Sequence, residues 1–368
     1  MKIVVTGAYG FIGKNLCLRL NESGYTNLVL LGSSSTSDDL VSALADADFV
    51  FHLAGVNRTE YESEFLKCNT DLTEFIVKEL IKNGSKTPLM VSSSMQATND
   101  TPYGLSKKIA EEKVELYGKS TGADYFIYRF PNVFGKWCKP NYNSFIATFC
   151  HNIANDIDIN IHDPSASVNL IYIDDVCNEL ISLLSRDKQP GFKTVHPEYQ
   201  TTVGSVAETI RLFKSSRNSL ITEHVGQGLV RALYSTYISY FSPKQFTYTV
   251  PSYADERGIF CEMLKTKESG QFSFFTAHPG ITRGGHYHHS KNEKFLVLKG
   301  MAKFRFEHVI TGETYEITTS SEKTEIVETV PGWSHDITNV GGDELVVMLW
   351  ANEVFDRDVP DTIARPLK

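Results

Sequence analysis

The sequence predicts an α/β doubly wound parallel sheet followed by an all-β barrel. Three observations predict it: an opening apolar strand that runs into a glycine turn and a helix, an alternation of short apolar strands with helical stretches, and a change of pattern after about Phe246. Beyond that point strands come close together with only turn residues between them. At 368 residues the length allows two or three domains of ordinary size. We divide the chain into 1–243 and 244–368.

The opening KIVVTGAYGFIGKNL places Gly7, Gly10 and Gly13 at GxxGxxG spacing between a buried strand and a helix. One glycine permits the tight turn, one lets backbone N–H groups approach a pyrophosphate, and one packs the helix against the sheet. The helix N-terminus adds about half a positive charge toward the phosphates. The second strand, NLVLLGSSSTSDD, ends in Gly32 and Ser33, where a protein preferring NAD usually carries an acid for the adenosine ribose. Without that carboxylate a 2′-phosphate is tolerated, and the serine hydroxyls or Lys14 are available to bind it. NADP(H) is the expected cofactor.

Helical stretches EFLKCNTDLTEFIVKELIKNG and GLSKKIAEEKVELYG follow, separated by the strand PLMVSSSMQA with Ser92, Ser93 and Ser94 at its end. Tyr103 and Lys107 are four residues apart, hence one turn apart on one helix face. A tyrosine with a pKa near 10 exchanges a proton with an alcohol oxygen near neutrality only if a nearby cation favours the phenolate. The serines offer hydroxyls to hold the reacting oxygen.

The order of glycine loop, serine cluster and Tyr-xxx-Lys resembles the extended short-chain dehydrogenase/reductase family, in its nucleotide-sugar branch, over roughly the first 240 residues. HLAG at His52–Gly55, Asn69 in KCNTDLT and YRFPNVFG at Tyr128–Gly135 are similar to its cofactor-side strand end, structural asparagine and substrate-facing segment. The resemblance implies a Rossmann-type domain with Ser94, Tyr103 and Lys107 as catalytic residues, Tyr103 donating the proton and Lys107 orienting the nicotinamide ribose. It implies cofactor contacts from Gly7, Gly10, Phe11, Ile12, Gly13, Ser33, Leu53, Ala54 and Gly55, and Asn132 at the nucleotide diphosphate. Sugar 4,6-dehydratases of the family follow the catalytic threonine with Asp-Glu; here Met95 and Gln96 stand there, which argues against that reaction.

The stretch RNSLITEHVGQGLVRALYSTYISYFSPKQ is too apolar for a loose tether and is expected to pack on both domains or on a second subunit. Past it, FSFFTA, EKFLVLKG, AKFRFEHVI, GETYEITT, TEIVETVP and ELVVMLWA read as barrel strands. Between the first two, His286 and His288 share a strand face because side chains repeat every two residues, and Glu293 opens the next apolar run. A fourth candidate, His335, follows the Pro-Gly turn of PGWSHDITN. Imidazole plus carboxylate suits zinc, iron, nickel or manganese.

The Gly280–Gly300 segment resembles the first motif of the cupin barrel, which implies His286, His288, Glu293 and His335 as metal ligands. In the second motif proline directly precedes Gly332 instead of lying two residues before it. ADERGIFCE and TRGGHYH are in turn similar to deoxysugar 3,5-epimerases, implying nucleotide or substrate contacts from Arg257, Glu262 and Arg283 and a second role for His286, as the proton-abstracting base. Tyr287, His308, Lys294 and Asp336 remain further candidates for that base, and His289 faces the other way.

KWCKPNYNS, LYSTYISY, HHSKNEKFLV and the C-terminal PDT resemble the bifunctional enzymes of capsular-polysaccharide synthesis. That resemblance implies a UDP-linked 4-keto-6-deoxy-N-acetylhexosamine as substrate, epimerised at carbon 3 in the barrel and reduced by NADPH in the first domain, with zinc as the metal. The competing expectation is a reductase whose barrel only dimerises or binds sugar. A homodimer through the barrel is expected either way.

A net charge of −8 without a Lys/Arg run argues against nucleic acid as a partner. No apolar stretch approaches the roughly 20 residues a bilayer requires, and six cysteines without CxxC spacing fit a reduced, cytoplasmic protein.

Overall fold

The computed structural model describes residues 1–84, 86–185, 188–358 and 360–367. These form two compact units, one of Met1–Ile210 with Arg231–Phe241, the other of Arg211–Val230 with Ser242–Lys368.

The first unit is built on a six-stranded parallel sheet in the order Leu28–Leu31, Ile3–Thr6, Phe49–His52, Leu89–Ser94, Tyr125–Phe130, Gly191–Lys193. Its central strands are apolar on both faces because helices cover both, so they read as continuous runs and not as alternating ones. Val4, Val50, Val91 and Ile127 of the sheet share a core with Leu44 and Ile76 of the covering helices Ser37–Leu44 and Leu72–Lys82 and with Val114 and Tyr117 of Pro102–Thr121. Chain order reverses between Ile3–Thr6 and Phe49–His52, the switch point at whose strand ends ligands collect in such sheets. A smaller sheet pairs Asn132–Phe134, Ser167–Tyr172 and Tyr199–Thr202.

The helix Pro102–Thr121 starts at Thr101, whose hydroxyl accepts the Gly104 N–H, has Pro102 in its first turn, and stops at Gly122 with φ +70°. The helical run expected from Glu64 is interrupted. Ser63–Phe65 leads into a π-helical turn, Leu66–Asp71, before the regular helix Leu72–Lys82. Polar side chains explain the bulge: Asn69 Nδ2 donates to the Val56 carbonyl and the Ser106 hydroxyl, both at 3.0 Å, and Thr70 Oγ1 donates to the Ser106 carbonyl at 3.0 Å.

In the second unit two sheets pack on one core. One has the order Ile221–Thr222, Gly258–Thr266, Gly270–Ala277, Leu345–Ala351, Glu293–Lys299, Ile326–Glu328, with Ser252–Asp255 added to Gly258–Thr266. The other runs Thr314–Ser320, Met301–His308, Trp333–Asn339, Thr282–Tyr287, Ile363–Ala364. Burial alternates along Leu345–Ala351 and Met301–His308, so that Phe304, Phe306 and Ile337 of one sheet meet Phe275, Phe295 and Val347 of the other. The apolar connecting segment divides: Ile221–Thr222 pairs with Lys265–Thr266, while Ala232, Leu233 and Tyr237 are buried in the first unit.

Gly270 turns the chain between two long strands at φ +73°, where an added Cβ would stand 1.7 Å from the Ala351 carbonyl oxygen. Gly270→Ala is expected to destabilise the barrel by about 1–3 kcal/mol, read by calorimetry as a lower temperature for the barrel transition with the other transition unmoved.

Candidate active sites

At the switch point the glycine turn is closely enclosed. A Cβ on Gly7, at φ +67°, would lie 2.6 Å from the Ala54 nitrogen, and one on Gly13 would lie 2.1 Å from the Gly7 carbonyl oxygen. The turn therefore sits on Leu53 and Ala54, and the helix Phe11–Glu22 sits on the turn. Gly10 begins that helix without a side-chain cap, which leaves first-turn N–H groups for an anion. Ser33 is exposed beyond Leu31, Gly32 lies under the Tyr9 ring, and Lys14 Nζ donates to the Trp137 carbonyl at 3.5 Å.

Beside the turn, Asn69 Oδ1 accepts the Val56 N–H at 2.9 Å and so pins the loop after His52. Lys107 is buried and donates to the Ser92 carbonyl at 3.0 Å; a Cβ on Gly55 would come within 3.0 Å of its Nζ. Burial lowers the Lys107 ammonium to about 8, with the Glu111 carboxylate pulling the other way. Glu111 is itself buried and is gripped by Arg129 through two bonds of 2.9 and 2.6 Å and by the Ser93 hydroxyl. Burial raises the Tyr103 phenol, opposed by a hydrogen bond with Ser94. A cation favouring the phenolate was the expectation; here the larger effect is desolvation, which keeps the phenol protonated. Asn132 is exposed and donates to the Asn169 carbonyl at 3.2 Å.

The barrel gathers its titratable groups through a bulge. Arg283 pairs with Ile337 and Gly284 with Asp336, but His286 pairs with His335, so Gly285 is the extra residue. Gly284 and Gly285 have φ of +101° and +79°, which only glycine adopts without strain. The bulge sets His286 and His335 side by side, ring centroids 4.8 Å apart. His288 follows the strand, and Glu293 enters from the facing sheet. Ligand atoms of His286, His288, Glu293 and His335 all lie within 4.8 Å of one another.

Hydrogen bonds decide which nitrogens face inward. His288 Nδ1–H donates to the Asp361 carbonyl and His335 Nδ1–H to the Trp333 carbonyl at 3.3 Å, since a carbonyl only accepts. Both rings therefore turn Nε2 toward Glu293 Oε2, at 3.3 and 3.4 Å, where it offers a lone pair when the ring is neutral and a proton when it is charged. Among the described residues His335 Nε2 is buried without a hydrogen bond. Lys291, also buried, holds the other carboxylate oxygen at 3.1 Å. Burial raises the Glu293 carboxyl, but His288, His335 and Lys291 together outweigh it and keep the group ionised. Buried lone pairs and a carboxylate converging on one point suit a divalent cation, as does the donor set.

This cluster ends a cavity of about 120 Å³ whose apolar wall includes Phe260, Phe275, Phe295 and Phe304. Arg283 also lines it; its Nε donates to the Thr276 carbonyl at 3.0 Å and, among the described residues, its buried Nη2 has no hydrogen-bond partner. Arg257 is exposed and bound to Asp255 at 2.5 Å, and Asp255 lies 3.9 Å from Arg283. Glu262 pairs with Lys265 at 2.8 Å and is not among the lining residues. Of the further base candidates only Asp336 reaches the cavity, clamped by Arg305 at 3.1 and 2.5 Å. Lys294 pairs with Glu328 at 2.5 Å, His308 Nδ1 accepts the Ile310 and Thr311 N–H groups, and Tyr287 packs against His289.

Residues 3–195 match the NAD dependent epimerase/dehydratase family. The chain belongs to that family. Residues 253–363 match the polysaccharide biosynthesis C-terminal domain. A Pseudomonas aeruginosa protein named UDP-2-acetamido-2,6-beta-L-arabino-hexul-4-ose reductase is 54% identical over 99% of this chain and 98% of its own. The capsular polysaccharide assembling protein CapF of Staphylococcus aureus superposes with a TM-score of 0.92 at 40% identity, over 100% of both chains. The UDP-N-acetylglucosamine 4-epimerase of Bacillus cereus shares the fold, with a TM-score of 0.55 at 21% identity over 68% of this chain and 99% of its own. A nicotinamide cofactor goes with the epimerase/dehydratase family, and the glycine turn, which any Cβ would fill, fits one. Among the described residues no helix is long and apolar enough to cross a membrane.

Sequence reading did not single out Glu111, Lys291, Arg305 or the contacts of Asp361. The i,i+4 spacing of Lys107 and Glu111 was a usable signal; the others depend on contacts across strands or from the chain end. If Lys107 serves a bound dinucleotide as a cation, affinity in a fluorescence titration should hold level below about pH 8 and fall as pH rises through it. Glu111→Gln should move that fall to lower pH.

Proposed function

We propose that the chain is a two-site UDP-sugar enzyme of capsular-polysaccharide synthesis. Its barrel, 244–368, epimerises carbon 3 of a UDP-2-acetamido-2,6-dideoxy-4-hexulose, and its first domain, 1–243, reduces the 4-ketone with NADPH. The product is UDP-2-acetamido-2,6-dideoxy-L-talose, on a route to UDP-N-acetyl-L-fucosamine. What carries the reading is the presence in one chain of two chemically unlike sites: the Ser94, Tyr103, Lys107 group beside the glycine turn, and the His/Glu cluster at the polar end of an apolar cavity. The names of the Pseudomonas and Staphylococcus relatives support the substrate and the setting. The absence of an acid at Gly32 and Ser33 supports NADPH over NADH.

When bound, the nicotinamide supplies a hydride to carbon 4. Ser94 holds the ketone oxygen, and Tyr103, kept protonated by burial, gives its proton as that oxygen gains charge. Lys107 binds the ribose, and Asn132 binds the nucleotide diphosphate.

In the barrel, His286, His288, Glu293 and His335 hold a divalent cation, with zinc the expected metal. When bound, it supplies the Lewis acidity that makes a C–H beside a ketone removable. The phenylalanine wall excludes water, and Arg283 Nη2, without a hydrogen bond among the described residues, is a donor for an oxygen of the sugar. Arg257 and Glu262 are assigned to the nucleotide. One observation favours a second role for His286: it is the least buried of the four, and among the described residues its ring has no carbonyl partner of the kind that fixes His288 and His335. It could then carry the proton while three residues hold the metal. We further propose a cytoplasmic homodimer through the barrel, where Thr314–Ser320 ends a sheet with Tyr315 exposed.

Tyr103→Phe should lower NADPH oxidation about 10²–10⁴-fold while deuterium exchange at carbon 3, followed by NMR, continues; loss of both would contradict separate sites. His286→Gln separates its two roles. A ligand loses bound metal, whereas a base keeps the metal and loses exchange. Unchanged product from His288→Ala would reduce the barrel to a binding or dimerising module.

A further inference from the structure

The end of the chain is built into the cation cluster. Ile363–Ala364 pairs antiparallel with the edge of Thr282–Tyr287, setting Ala364 opposite His286 and Ile363 opposite Tyr287. The Arg365 N–H donates to the carbonyl of the bulged Gly285 at 2.8 Å, and Ser334 Oγ, next to His335, donates to the Arg365 carbonyl. Two residues before that strand, the Asp361 carboxylate accepts the N–H groups of His289, Ser290 and Lys291 at 2.8, 2.7 and 2.8 Å and the Ser290 hydroxyl at 2.9 Å. Three successive N–H groups form a concavity suited to an anion, and this one is filled by the chain itself.

The filled loop joins two of the clustered side chains, His288 and Glu293. The backbone carbonyl of Asp361 accepts the His288 Nδ1–H, which leaves the lone pair on Nε2, the nitrogen that faces Glu293. One residue thus holds the loop through its carboxylate and the ring through its carbonyl.

We infer that Asp361 is a positioning residue of the cation site and that docking of segment 361–365 is coupled to cation binding. The inference rests on the reading that His286, His288, Glu293 and His335 hold a divalent cation. Coupling of this kind is reciprocal: if the docked tail raises cation affinity, the cation must stabilise the docked tail by the same factor.

The test uses Zn²⁺ on the full-length protein, with affinity measured by chelator competition. Asp361→Ala and a chain ending at Pro360 should bind about 10–100-fold more weakly, and Asp361→Asn, which keeps one acceptor oxygen, should fall between them and the unaltered protein. In the unaltered protein, which needs no substitution to fold, Zn²⁺ should slow hydrogen exchange at the Arg365 amide. If the tail serves the fold alone, the two variants would lower the metal-free unfolding temperature but leave zinc affinity unchanged, and zinc would not slow exchange at Arg365 in the unaltered protein; that result overturns the inference. Failure of the unaltered protein to bind Zn²⁺ would instead remove the cation reading and the inference with it.

Discussion

The convergence of His288 Nε2 and His335 Nε2 on one oxygen of Glu293 is the constraint around which the second unit is organised. While the rings are neutral their Nε2 lone pairs and the carboxylate repel, and burial removes the water that would relieve them; a positive charge at that point, proton or metal, turns the repulsion into attraction. The fold holds this arrangement by fixing each ring from behind: a carbonyl takes each Nδ1–H, and Lys291 takes the carboxylate oxygen that does not face the histidines. Without the bulge at Gly285, His335 would pair one residue earlier on Thr282–Tyr287, and the alternation of side chains would send His286 to the other face. The strained arrangement is thus specified by two glycines, two backbone carbonyls and a buried lysine. Such polar convergence is costly to a fold and is accounted for by a charge that it can receive.

Much of the architecture was legible because its signals are local. A buried parallel strand is a run of apolar residues, a phosphate-approaching turn requires glycine, and a barrel strand alternates; each fact shows within about ten residues of sequence. The doubly wound sheet, the barrel, and the strand positions of Phe272, Phe295, Phe304 and Val347 followed from these rules. The π-helical turn at Leu66–Asp71 did not, because its cause is Asn69 reaching Val56 and Ser106 and not any helix-breaking residue within the run.

The candidate sites divide in the same way. Spacing alone put His286, His288 and Glu293 in one neighbourhood, and the Pro-Gly turn allowed His335 to join them. Spacing could not tell that Glu293 comes from the facing sheet, that Asp336 is clamped by Arg305, or that a carboxylate 72 residues beyond His289 closes the loop between two of the clustered residues. In the first unit Tyr103 and Lys107 were visible as a helical pair, but the state of Tyr103 was not. Its burial outweighs its hydrogen bond with Ser94, a balance that depends on side chains such as Phe65, whose ring meets that of Tyr103 at 5.6 Å.

Chemistry orders the two proposed reactions without reference to how the units are arranged. A proton on carbon 3 is removable only while carbon 4 is a ketone, because the enolate needs that oxygen to carry its charge. Reduction destroys the ketone, so the barrel must act first, and its epimers interconvert freely until hydride delivery withdraws one of them. A protonated Tyr103 suits that second role: it must hold its proton until the oxygen becomes basic, and a phenol raised by desolvation does so across the neutral range. The barrel requires the opposite property, a carboxylate that stays ionised in an apolar wall, which Glu293 achieves through its neighbours despite its burial. Two environments that push an acid in opposite directions are hard to build in one cavity. This gives a physical reason for one chain to carry both folds.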